Sequence, residues 1–318
     1  MGQSEMSSMP SVKIYVVGFD RFGAPPSDIF VPIQAGKSKS LDQFEVLGDN
    51  TGDNISDLNA IYAEMTAMYW VWKNAQKTDY VGFFHYRRYL DFSGRPPIGN
   101  SDYSFSDANL VTRVRYGWLD ENIRSSVAKH DIIAPPLDEI GNPQDGYKSS
   151  TSLYEQYLCY HVGRDIDLVL EETKKKSDNP REIDEAFQSH YATFNHMYVM
   201  KWDLFEEYME WAFSILEAVR PQIALSEPIY GKGQLQSRAL GFLGERLFNV
   251  FLTIKKKQGV DVAHVSRVFG YAAVSTKKKL NLRLAVSKFF TRLFEYKKIR
   301  RGVYVKAFGI SFTYYKPY

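Results

Sequence analysis

The chain has 318 residues, enough for one large α/β domain or a domain with an appendage, and 44% of them are apolar, which excludes a disordered or fibrous protein. A single cysteine, Cys159, excludes an intrachain disulfide and points to a reducing compartment. The net charge is only +3, yet twelve Lys and Arg from Lys277 onward face Glu295 alone, so that segment carries +11 and residues 1 to 276 carry −8.

Residues 1–11, MGQSEMSSMP and Ser11, have neither a long apolar run nor a basic start, so no secretory signal is expected and the segment reads as a disordered terminus. Met6 stands where myristoylation needs Ser or Thr. No stretch reaches the roughly 18 uncharged apolar residues of a membrane span. Val12 to Val17 read as a short buried strand, followed by a turn at Gly18-Phe19-Asp20. Such a turn is where α/β folds place a nucleotide, beyond the carboxyl end of the strand.

A polar turn at 49–54 precedes a helix predicted over Ile55 to Asn74, with apolar residues at Ile55, Leu58, Ile61, Tyr62, Met65, Met68, Tyr69 and Trp72. Glu64 falls off that stripe, and the helix reads as scaffold. Asp79 to Phe84 form a second strand, leading directly into His85-Tyr86-Arg87-Arg88. The Pro/Gly/Ser-rich stretch 93–107 is a loop able to act as a lid. A helix near Leu119–Lys129 leads to a strand at Asp131–Ala134, stopped by two prolines. Residues 153–175 read as helical, Phe194–Met200 as a fourth strand, and Trp202–Val219 as an amphipathic helix. Gly241-Phe-Leu-Gly244 precede a helix beginning at Glu245, and Asp261–Val265 read as a last strand. Strands alternating with helices argue for an α/β fold with a mostly parallel sheet.

Two arginines and a histidine just past a buried strand suit a phosphate, because guanidinium presents a planar fork of donors. Surface ion pairing is the plainer alternative. His130, His161 and His190 show no metal-ligand spacing.

The runs NISDLNAIYAEMTAMYWVWKN, DYVGFFHYRRYL, HDIIAPP, FNHMYVMKWDLFEEYMEWAFSIL and GFLGERLFNVFL, spread over Lys13 to Lys257, resemble a bacterial family of capsular and exopolysaccharide glycosyltransferases long carried as a domain of unknown function. The resemblance implies a GT-A-like, Rossmann-like domain at 12–276 that moves a sugar from a nucleotide donor. It implies a UDP-sugar, with galactofuranose as the best single sugar, and a lipid-linked oligosaccharide acceptor. GT-A enzymes usually hold a divalent metal with Asp-x-Asp after a central strand. Here His85 to Arg88 fill that place, so the arginines are expected to neutralise the diphosphate with no metal, although Mn²⁺ or Mg²⁺ remains an alternative. The literal Asp165-Ile-Asp167 sits in a helical, polar context and reads as a surface coincidence.

Gly18, Asp20, His85, Arg87 and Arg88 are donor-binding candidates by their place beyond buried strands, and the resemblance adds Arg246 and the roles that follow. Asn195 and His196 are acceptor or sugar contacts, with a buried histidine as the alternative. Glu245 is the candidate base, with a helix-start role as its alternative. His264 is a weak metal candidate.

Leu282, Val286, Phe289, Leu293 and Tyr296 share a helical face flanked by Arg283, Lys288, Arg292 and Lys297. Residues 277–318 therefore read as a basic amphipathic helical extension lying on an anionic membrane surface, with a helix packed on the domain and basic on its outer face as the alternative, and the protein as cytoplasmic and peripheral on the inner face of the plasma membrane. No nucleic-acid motif accompanies the charge. The remaining alternatives are a non-catalytic scaffold of polysaccharide assembly and another transferase that uses nucleotide sugars.

Overall fold

The computed structural model describes residues 9–19, 22–96, 103–140, 151–223 and 237–270, with three strands between 294 and 315. Along the chain run β1 (Val12–Gly18), β2 (Phe30–Gln34), β3 (Leu47–Gly48), α1 (Asn59–Tyr62), α2 (Met65–Asn74), β4 (Tyr80–His85), β5 (Arg88–Leu90), β6 (Tyr103–Phe105), α3 (Leu110–Arg115) and α4 (Asp120–Val127). Then follow β7 (Ile132–Ala134), β8 (Asp138–Glu139), α5 (Leu153–Tyr160), α6 (Gly163–Lys175), α7 (Pro180–Phe187), β9 (Tyr191–Ala192), β10 (Tyr198–Lys201), α8 (Trp202–Val219), α9 (Ala239–Lys257), β11 (Val262–His264) and β12 (Arg267–Gly270).

The main sheet has the order β11-β7-β10-β4-β1-β2-β3. Along that order the pairings are parallel except around β10, which runs antiparallel to both β4 and β7; β5 joins the sheet antiparallel to β4 and β12. The sheet is thus mostly parallel and flanked by helices, as the alternation of elements predicts. Side-chain alternation along each strand explains the two cores. Tyr15, Val17, Val81, Phe83, Tyr198 and Met200 point to one face and pack with α2, α8 and α9. Ile14, Val16, Phe84 and Val199 point to the other and pack with Leu90, Trp118, Ile123 and Val127. Each large apolar side chain so buried contributes about 1.5–3 kcal/mol.

Several elements differ from the sequence reading in ways that shape the site. The helix predicted over 55–74 is broken: a 3-10 turn covers Ser56–Leu58, α1 ends at Tyr62, and α2 begins at Met65. Ala63 between them has φ 51 and ψ −130, a conformation an L side chain resists. The helix predicted over 153–175 is two, α5 and α6, parted at His161 and Val162. The strand expected from Phe194 begins only at Tyr198. α9 begins at Ala239, so Glu245 lies in its second turn and the first-turn dipole argument does not apply to it.

The chain divides into two units, Met1–Ala272 and Ala273–Tyr318. The second contains β13 (Phe294–Ile299), β14 (Gly302–Ala307) and β15 (Ile310–Tyr315) in an antiparallel sheet. The helical extension expected there is therefore corrected to a three-stranded sheet, at least from Phe294 on. The part of the proposed amphipathic helix before Phe294 lies outside the described residues. The sequence from Val303 to Tyr315 explains the outcome, being rich in Val, Tyr, Ile, Phe and Thr.

Candidate active site

β4 ends at His85, Tyr86 and Arg87 turn, and β5 starts at Arg88, with His85 and Arg88 paired across the hairpin. Two anchors fix this turn: Tyr86 N–H donates to Val17 O at 3.0 Å, and Gly270 N–H donates to Arg87 O at 2.8 Å. The hairpin therefore projects from the carboxyl ends of β1 and β4, where open α/β sheets bind ligands. There it opens on a cavity of about 700 Å³ lined by Phe19, Ala63, Glu64, His85, Tyr86, Arg87, Arg88, Asn195, Arg238, Gly241, Phe242, Glu245, Phe269 and Gly270.

Among the described residues, the non-glycine positions with positive φ are Ala63, Asn195, His196 and Arg238. Three line the cavity and the fourth adjoins it. Such positions cost about 1–3 kcal/mol each and persist where the surroundings impose them. At 195–196 the reason is visible. The twisted backbone turns Asn195 O toward His85, whose Nε2 donates to it at 2.5 Å, and turns Asn195 N–H toward Glu245 Oε1 at 2.6 Å. One peptide segment thus ties a β4 side chain to an α9 side chain.

α9 approaches closely because of two glycines. A Cβ at Gly241 would stand 2.9 Å from Ala63 Cβ and 3.0 Å from Tyr62 O. A Cβ at Gly244 would stand 2.2 Å from Met65 Sδ. The broken helix and α9 are therefore in near-backbone contact, and the break delivers Glu64 to the cavity.

The cavity holds two carboxylates with different surroundings. Glu245 Oε1 accepts from Asn195, and Oε2 is paired with Arg246 Nη1 at 2.7 Å. Glu64 Oε1 faces His196 Nδ1 at 3.7 Å, an ion-pair distance longer than a hydrogen bond. Burial alone would raise the Glu64 carboxyl, but the His196 and His85 rings outweigh it and hold it at about 2. His196 is 1% exposed, and its Nε2 lies 2.6 Å from Tyr208 Oη, which donates to Gly244 O at 3.2 Å.

The cationic side is Arg87, Arg88 and Arg238. Arg87 is exposed, lies over the Tyr86 ring and bonds its hydroxyl. Arg88 lies 5.4 Å from the Phe269 ring centre, and its buried Nε has no partner among the described residues. Arg238 heads α9 and lies 5.5 Å from the Phe19 ring centre. Planar guanidiniums propped on rings keep their outer donors for a ligand.

The model of a family described as a domain of unknown function (DUF4422) matches residues 13–257. The chain belongs to that family. No curated protein matches. Among solved structures, the apo form of WbbM, a bifunctional glycosyltransferase, is similar at 30% identity and a TM-score of 0.72 over 84% of this chain. That match spans 47% of the WbbM chain.

Within this family member the predicted site residues fall into three groups. His85, Arg87, Arg88, Asn195 and Glu245 meet at the cavity. Gly18 is buried at the end of β1, where Phe19 rather than Gly18 reaches the cavity, and Asp20 lies outside the described residues. Arg246 and His196 are corrected. Arg246 is 2% exposed and spent on Glu245, Gln156 and Phe242 O, so it cannot hold a donor phosphate. His196 is packed among Tyr198, Tyr208 and Phe248, so no sugar hydroxyl reaches it.

Asp165 and Asp167 sit on α6 away from the cavity, Asp165 buried rather than on the surface and Asp167 bonded to Tyr154. His264 lies against Pro135 O and Lys256, also away from the cavity. The described residues of 93–107 do not line the cavity; Arg95 pairs there with Asp91. Residues 97–102 lie outside the described part. The sequence reading missed Glu64 and Arg238.

Proposed function

We propose that this protein is a GT-A-type glycosyltransferase that moves a sugar from a nucleotide donor to a lipid-linked oligosaccharide acceptor in bacterial surface-polysaccharide synthesis. The observation that carries the reading is the cavity itself: three arginines and two carboxylates at the carboxyl ends of β1 and β4. Family membership and likeness to a glycosyltransferase support it.

Transfer leaves a nucleoside diphosphate carrying new negative charge. Arg87, Arg88 and Arg238 supply fixed positive charge for it in a partly water-excluded cleft, where such stabilisation is strongest. The donor is a UDP-sugar, with UDP-galactofuranose as the first to test. Asn195, which lines the same cavity, is the candidate contact for an acceptor or sugar hydroxyl. Glu245, with both oxygens engaged, frames Asn195 rather than serving the proton transfer.

The described residues do not fit a divalent metal. Glu245 is committed to Arg246, arginines stand in the hairpin, and no group of three or more His, Cys, Asp or Glu suited to a metal occurs among the described residues. The 277–318 segment is proposed to meet an anionic membrane, on charge alone. No helix among the described residues is long and apolar enough to cross a membrane.

The test is UDP release from a panel of UDP-sugars, with a mixture of lipid-linked oligosaccharide acceptors and with EDTA. Acceptor-dependent release that survives EDTA is expected. Release from no sugar refutes the function, and chelation reversed by Mn²⁺ refutes the arginine-for-metal reading.

A further inference from the structure

We propose that His85 is the general base of this cavity, taking the acceptor hydroxyl's proton at Nδ1. The proposal rests on the glycosyl-transfer reading above and assigns the proton-accepting atom within it.

The ring's hydrogen bonding fixes its tautomer. A carbonyl oxygen can only accept, so the 2.5 Å contact with Asn195 O puts the proton on Nε2. Nδ1 of the neutral ring is then a lone pair. It has no protein partner among the described residues, and it is not among the buried unpartnered atoms. The ring lines the cavity, so Nδ1 is the atom a ligand meets. A neutral ring whose one N–H is already spent has no donor for a phosphate oxygen, which removes the phosphate-binding role expected from sequence.

The alternatives in the cavity are weaker acceptors. Both Glu245 oxygens are taken. Burial works against the Glu64 carboxylate, but the His196 and His85 rings outweigh it and keep the group below its ordinary range, so it is an anion beside the ring. Glu64 instead serves as a positioning charge. Burial pushes His85 below its usual value, Arg88 and His196 lower it further, and Glu64 and Asn195 O pull it back. The remaining charged groups around the cavity are Arg87, Arg238 and Glu245. The ring is therefore neutral before reaction, with a carboxylate beside it to favour the imidazolium as it forms.

The acceptor oxygen bonds to the anomeric carbon. The bond from that carbon to the diphosphate oxygen breaks, and its electron pair leaves with the diphosphate. The acceptor's proton moves to Nδ1, and solvent removes it after product release.

The test uses the full chain with ring-¹⁵N histidine. It has six histidines, and His85→Gln assigns the signal while keeping a donor for Asn195 O. At pH 7 the His85 ring is expected neutral and protonated on Nε2, with its midpoint below the ordinary value of about 6.5. Glu64→Gln is expected to lower that midpoint further, a change a purely structural Glu64 would not produce. His85→Gln should bind UDP within about twofold of wild type, yet release UDP from a UDP-sugar and acceptor about 10²–10⁴-fold more slowly.

An imidazolium or an Nδ1–H tautomer at pH 7 overturns the proposal. So does undiminished turnover in His85→Gln, or a tenfold loss of UDP affinity with turnover kept. Wild-type protein that turns over no UDP-sugar overturns the transfer reading itself, and the base role with it.

Discussion

Replacing Glu245 by Gln removes one charge from a nearly dry ion pair. The Glu245 and Arg246 side chains are 15% and 3% exposed, and their closest approach is 2.7 Å. Gln offers one carbonyl oxygen where the carboxylate offered two. If that oxygen keeps the Asn195 N–H bond, the amide NH₂ faces Arg246, a donor against a donor. Arg246 then stays buried with its charge uncompensated, since Gln156 and Phe242 O are neutral partners. Breaking a buried pair from one side costs about 3–5 kcal/mol. At roughly 2–4 °C per kcal/mol for a domain of this size, the midpoint should fall by about 6 °C or more. The double variant Glu245→Gln/Arg246→Met retires both charges and keeps the Asn195 bond, so it should recover most of the loss. Urea unfolding followed through the five tryptophans reads both. If Glu245→Gln loses less than about 0.5 kcal/mol, the pair is not a frame. Glu245 would then be free for chemistry, and the assignment of the base would return to it.

Arg88→Ala should weaken UDP binding by about 1.5–3 kcal/mol in titration calorimetry, and Arg88→Lys should restore only part of it because the planar fork is lost. Arg238→Ala, at a position not foreseen from sequence, should show a loss of the same order; wild-type affinity there would place the diphosphate elsewhere. Glu64 carries an acid-stability signature. Its folded-state value near 2 lies below the ordinary carboxyl value of about 4.5, so its contribution is present above about 4.5 and is lost as pH falls toward 2. Glu64→Gln should flatten the unfolding midpoint across that window and leave it unchanged at pH 7 relative to pH 6. Truncation after Thr276 removes the +11 segment, where each basic residue near an anionic surface is worth about 1 kcal/mol; phosphatidylserine vesicles should then release the protein, and equal binding of both forms would refute the tail as anchor.

The parts of this fold that follow from local pattern were legible. The buried run Val12–Val17 and the helical stripe Trp202–Val219 each have one period and one partner face, and the structure places β1 and α8 there. The hairpin arginines were legible for the same reason, because a polar cluster directly after a buried run must emerge at a sheet end. Glu64 was not legible. Nothing between Ile55 and Asn74 breaks a helix by itself: no Gly, no Pro, and an unbroken apolar stripe. The break at Ala63 comes from α9, some 180 residues later in the chain, whose glycines bring its backbone against Tyr62 and Ala63. Local propensity favours one continuous helix, and the tertiary contact overrides it at the position where an acid enters the cavity. Arg238 was hidden by a similar cause, since its left-handed backbone at the head of α9 has no sequence signature in an arginine. The same distant contacts that make the site hard to read also set its geometry. Strain at Ala63, Asn195, His196 and Arg238 is offset by packing elsewhere, and it fixes the carboxylates, the imidazole and the third arginine around one cavity.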